Sequence, residues 1–216
     1  MQFRYPTNLT PAEYVRTEAW KFIMVDRCPI HPDLNCRIAR HGTYPRKVPE
    51  GAKFLRILCL SENITFSLLP DCFASRLPGT LADIEKVVLM FETHAGNSEC
   101  ELTPETAGKI LSSPDLNTLA EKSGIDERLF ERAADFRWLK RRVEYVIAVL
   151  SAVAGMFPDT FGNCRQTLTA FRTVLGRGPV LMRLRALAES RIHEIPGPVG
   201  LNPRFSRPQD PDCRPP

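Results

Sequence analysis

Four side chains in the first 60 residues carry donor atoms suited to a metal ion: Cys28, His31, Cys36 and Cys59. Thiolate sulfur and imidazole nitrogen both suit tetrahedral zinc, at about 2.0–2.3 Å. The four lie in CPIHPDLNC (28–36) and LCLSENITFSLLP (58–70), with the strand-like HGTYPRK and AKFLRILCL between them. A β-ribbon of this size buries little apolar surface, so a bound metal would supply folding free energy that its core lacks. The second knuckle departs from a regular site. Cys59 is followed by Leu60, Ser61, Glu62 and Asn63, with no cysteine where a C-x2-C pair would place one. Three arrangements stay open: a complete Cys3His set from the four residues, closure by His41 or Glu62, or a ribbon that holds without metal.

Bringing those donors together requires an antiparallel ribbon. KFIMVDRCP (21–29) reads as a strand entering the first knuckle. HGTYPRK, AKFLRILCL and NITFSLLP are short, rich in β-formers and separated by turns such as VPEG at 48–51. Ahead of them, Thr10-Pro11 before AEYVRTEAW predicts an N-cap with proline at the first helical position. After residue 78 the apolar period becomes helical. Thr80 caps a helix that carries Leu81, Ile84, Val87, Val88 and Phe91 on one face. Thr103-Pro104 and Ser113-Pro114 open two short helices, and a long helical run follows with Phe136, Leu139, Val143, Val146, Ile147 and Leu150 in register. CRQTLTAFRTVLG and PVLMRLRALAESRIH add two more, with GRGP at 176–179 as a stop and start. The expected class is α+β: zinc-ribbon-like antiparallel hairpins, then an all-helical region. The units are an N-terminal helix (1–19), the ribbon (20–78), the helical domain (79–195) and an unstructured proline-rich tail (196–216).

Within the helical domain, LNTLAEKSGIDERLFERAADFRWLKRR (116–142) has the pattern of a helix-turn-helix, placed at 114–142. Ala120 is small where two helices cross, Gly124 can take the turn, and Leu119, Ile125 and Phe130 lock the pair. The following helix offers Arg128, Arg132, Arg137, Lys140, Arg141 and Arg142, a density suited to phosphate contacts. Asp126, Glu127, Glu131 and Asp135 on the same stretch also allow a solvated, internally paired bundle face.

Composition narrows the class without choosing a function. Hydrophobic content of 43% and charged content of 25% are ordinary globular values, and the net charge of +4 is mildly basic. No run of 18 apolar residues occurs and the start has no apolar h-region, so neither a membrane span nor a signal peptide is expected. Seven cysteines without framework-like spacing then favour a reducing cytoplasm and metal binding over disulfides. Cys72, Cys100 and Cys164 read as small neutral core residues, Cys213 as incidental, and His94 and His193 as surface residues. G-x-S-x-G, G-x4-G-K-[ST] and H-E-x-x-H are all absent.

Taken together, CPIHP, RHGTYPRK, LRILC, TFSLLPD and LPGTL resemble the zinc-ribbon N-terminal region of bacterial insertion-sequence transposases and related short transposase-like proteins. The resemblance covers about residues 26–82, and TFSLLP after the last cysteine is its most specific part. It implies ligand positions at Cys28, Cys36 and Cys59 and a basic strand at Arg40, His41, Arg46 and Lys47. Such transposases also carry three catalytic carboxylates on an α/β core. Here Asp71, Asp83 and Glu85 stand too close together and read as caps. The expectation is a non-enzymatic, transposase-related DNA-binding protein of a mobile element, holding Zn2+. It would contact double-stranded DNA through Arg40, Arg46, Lys47, Arg128, Arg132, Arg137, Lys140, Arg141 and Arg142, with Lys53 and Arg56 beside them. The alternative is a protein-interaction module of a mobile-element or phage-related complex that binds no DNA.

Overall fold

The computed structural model describes residues 1–31, 36–96 and 136–201. Four strands, β1 (Gln2–Tyr5), β2 (Ile38–Pro45), β3 (Lys53–Cys59) and β4 (Ile64–Pro70), form one sheet in the order β1-β4-β3-β2. β2, β3 and β4 are the antiparallel ribbon that the sequence predicts, with Cys59 opposite Ile38 on one side and Ile64 on the other. β1 adds to it in parallel, Phe3 opposite Leu68. Four residues are too few to show a period, so this strand is not legible in the sequence.

The strand expected at 21–29 is not formed. Ala19–Lys21 is a 3-10 turn and irregular chain continues through Cys28. The main chain there is held by a side chain instead, as Arg40 on β2 donates to the carbonyls of Trp20 (2.9 Å) and Ile23 (2.8 Å). β2 itself shifts register between Arg40 and Thr43, and Gly42 takes the positive φ of 90° that this irregularity requires.

Helix α1 (Pro11–Arg16) begins as predicted, with Thr10 and Glu13 closing a capping box. It lays Tyr14 against Trp20, Phe54 and Phe73, the aromatic centre of the core beneath the sheet. A second core lies among the helices α2 (Leu81–Gly96), α3 (Phe136–Met156), α4 (Pro158–Phe161), α5 (Leu168–Leu175) and α6 (Val180–Leu187). The predicted face of α2 is buried there, and Thr80 with Asp83 caps its start. Two acids of α2 cap other helices: Glu92 accepts the N–H groups of Leu168 (2.5 Å) and Thr169 (2.9 Å), and Glu85 that of Leu181 (3.2 Å). Unpaired N–H groups and the positive end of a helix dipole make such ends natural carboxylate sites.

One buried cation joins the two cores. Arg185 on α6 donates to the carbonyls of Pro70 at the end of β4, of Asp71 and Phe73 just beyond it, and of Pro198 and Val199. This corrects the expectation for the start of the tail. Residues 196–201 are packed, with Val199 and Leu201 buried. Gly200 passes so close to Ile195 that a Cβ would meet its carbonyl oxygen at 1.7 Å, so proline-rich chain here is core, not linker. From 202 onward the tail lies outside the described residues. So does most of the predicted helix-turn-helix, with only its end from Phe136 falling within α3. Among the described residues no helix is long and apolar enough to cross a membrane.

Candidate metal centre

Cys28, His31, Cys36 and Cys59 come together at one end of the sheet, beside the core that Tyr14 anchors. Their donor atoms all lie within 4.8 Å of one another. Cys28 and His31 sit on one turn, closed by a main-chain bond from His31 N–H to the Cys28 carbonyl (3.1 Å). Cys36 precedes β2 and Cys59 ends β3, and the bond from Leu60 N–H to the Arg37 carbonyl (3.0 Å) holds those strand ends level. All four cysteine and histidine positions named from the sequence are therefore brought together. His41 is exposed on the β2 irregularity and is not among them.

The two separations from His31 lie close to the edges of a tetrahedral site, and the Cys36–Cys59 separation is shorter. Bonds of about 2.3 Å to sulfur and about 2.0–2.1 Å to nitrogen give tetrahedron edges of about 3.8 Å between sulfurs and about 3.6 Å from sulfur to nitrogen. His31 Nδ1 lies 3.8 Å from Cys28 Sγ and 3.6 Å from Cys59 Sγ, and the sulfurs of Cys36 and Cys59 are 3.3 Å apart. The cysteines are free thiols. The cluster could hold a metal ion with no further ligand.

The turn after Cys59 surrounds the donors with polar groups. Ser61 Oγ donates to Cys36 Sγ at 3.3 Å, and Glu62 Oε1 lies 3.5 Å from Nε2 of His31. The Ser61 hydroxyl is the main reason that the Cys36 thiol falls to about 6, with Cys59 and His31 assisting against the cost of burial. Burial pushes the Cys59 thiol the other way, opposed by the N–H groups of Glu62 and Ser61. Cys72, buried in the core away from the cluster, is pushed up to about 12 by burial. It is the inert core thiol that the sequence predicts. Glu62, one of two alternative ligands in the sequence, instead faces the outer nitrogen of the imidazole. Ser61 carries no metal-donor signature in the sequence, although it stands in the knuckle that lacks a second cysteine.

No family model, curated protein or solved structure matches this chain.

The basic residues assigned to DNA do not share one environment. Lys47 and Arg141 are exposed. Arg40 is exposed as a residue, but its guanidinium is committed to the Trp20 and Ile23 carbonyls. Arg46 and Arg142 are corrections. Arg46 lies over the Phe54 ring, 4.9 Å from its centroid, and donates to Ala74 and Leu77 carbonyls. Arg142 is buried and donates to the Pro78 carbonyl at 3.1 Å. Burial works against the charge of both, and carbonyl dipoles or the ring offset it, so neither faces a phosphate. In sequence both belong to charged runs, which hides that they point inward. Arg137 and Lys140 fall within α3, whereas Arg128 and Arg132 lie outside the described residues.

Proposed function

We propose that this chain is a zinc-stabilised protein that binds duplex DNA and performs no chemistry on it. The observation that carries the reading is the four-donor cluster beside a cationic hairpin. Three thiols and an imidazole are a donor set that favours zinc over harder cations. Four protein ligands leave no open position, which is the pattern of a structural ion. The hairpin from residue 37 to 59 carries Arg37, Arg40, Arg46, Lys47, Lys53 and Arg56 against a single acid, Glu50. With Arg46 turned inward, Arg37, Lys47 and Lys53 remain exposed for phosphates. The resemblance of residues 26–82 to transposase ribbons points the same way, and any share taken by a helix-turn-helix at 114–142 belongs to this proposal.

The test is duplex binding as a function of salt. Each phosphate neutralised contributes about 0.9 to the slope of log K against log salt. Lys47→Ala with Lys53→Ala should therefore lower the slope by about 1.8 and weaken binding alike on unrelated sequences. An unchanged slope, or no binding at low salt, refutes it. One observation favours a second reading, a protein-docking module. Phe22 and Met24 are 76% and 82% exposed on either side of buried Ile23. Co-purification of a protein lost on Phe22→Ser, together with no DNA binding at low salt, would establish that reading instead.

A further inference from the structure

A C-x2-C knuckle opening at Cys59 would place its second ligand at position 62, where this chain has Glu62. The Glu62 carboxylate meets the His31 ring from the side opposite the sulfurs. Nδ1 faces Cys28 Sγ and Cys59 Sγ at 3.8 and 3.6 Å, whereas Nε2 faces Glu62 Oε1 at 3.5 Å. An imidazole offers one lone pair when neutral, and the proton on the other nitrogen decides which atom can bind a metal. The neighbouring Ser61 reaches Cys36, the most exposed of the three thiol ligands, at 3.3 Å. Asn63 takes a φ of 54°, a left-handed conformation that asparagine tolerates, and so reverses the chain at the right place for both side chains.

We propose that Ser61 and Glu62 are the positioning residues of the metal centre. Glu62 accepts the Nε2 proton of His31 and commits Nδ1 to the ion, and Ser61 fixes the Cys36 thiolate. The knuckle that lacks a ligand has become the support for two ligands supplied from elsewhere. The inference rests on the metal reading above. Glu62 is half exposed, so its value is orientation more than ionic attraction.

The test uses the full chain stripped of metal, titrated with Co2+ in competition with a chelator and followed by the visible absorption of tetrahedral thiolate-bound cobalt. Wild type should bind one equivalent. Glu62→Ala and Ser61→Ala should keep that stoichiometry and the tetrahedral spectrum, with affinity lower by about 10–100-fold. Glu62→Gln, whose amide oxygen can accept the same proton, should stay near wild type. Nitrogen-15 spectra of zinc-loaded wild type and Glu62→Gln should place the His31 proton on Nε2. Unchanged affinity in Glu62→Ala, or a proton on Nδ1, overturns the proposal and leaves the metal reading intact. Failure of wild type to bind Co2+ or Zn2+ overturns both.

Discussion

If the four-donor cluster holds zinc as proposed, stripping that metal should cost the fold about 3–4 kcal/mol. Coordination by both Cys28 and Cys59 closes a loop of about 30 residues, and the chain-entropy relation for a cross-link of that length gives about 3.7 kcal/mol at 25 °C. Mass action gives a similar figure, about 4.1 kcal/mol for a ligand present at a thousand times its dissociation constant. His31 and Cys36 lie inside the same loop and subdivide it, so the single-loop value is a floor for the constraint. The loss should fall short of unfolding the molecule, because Tyr14, Phe54, Phe66 and Phe73 form a core that needs no ion. Urea unfolding can be followed by the fluorescence of Trp20, which is buried in that core, with zinc and with a chelator. The midpoint should fall with chelator in wild type and stay put in His31→Ala. A wild-type midpoint that does not move, with metal removal verified by elemental analysis, refutes the reasoning.

Two further outcomes follow from side chains away from the ligands or from their metal-free state. Glu85→Ala deprives Leu181 N–H and Arg172 of their buried acceptor and should destabilise by about 2–4 kcal/mol, most of it from the N–H, since Arg172 is 43% exposed. Glu85→Gln should lose clearly less in the same urea titration, and equal losses would show that the cap is not the cause. In the metal-free protein, Cys36 near pKa 6 is mostly thiolate at pH 7 and Cys72 near 12 is not. Iodoacetamide labelling read by mass spectrometry should modify Cys36 well before Cys72, with the Cys36 rate falling as pH drops below about 6. The reverse order would contradict the environments described here.

The sequence carries the ribbon and α2 well because each repeats a simple rule. β3 and β4 show dense β-formers between turns, and α2 keeps its apolar residues at helical spacing behind a Thr80 cap. The four-donor cluster is legible for a related reason, since cysteine and histidine have few other uses in such a pattern. What escapes is whatever depends on distant partners. β1 is defined by β4, more than 60 positions away. The absence of a strand at 21–29 depends on Arg40, and the inward turn of Arg46 and Arg142 on carbonyls that no local pattern announces. Residues 196–201 look like linker because proline is read as a breaker, yet their carbonyls are what Arg185 needs.

That last dependence governs how the chain can be shortened. Trimming the proline-rich end back past Pro198 would strip away two of the five oxygens around a guanidinium sealed from water, leaving a buried charge with three acceptors. Removal from residue 202 onward spares every one of those oxygens. A fusion partner or affinity tag therefore belongs beyond Leu201, and a protease that cuts between Ile195 and Gly200 would loosen the helices and the sheet in a single event.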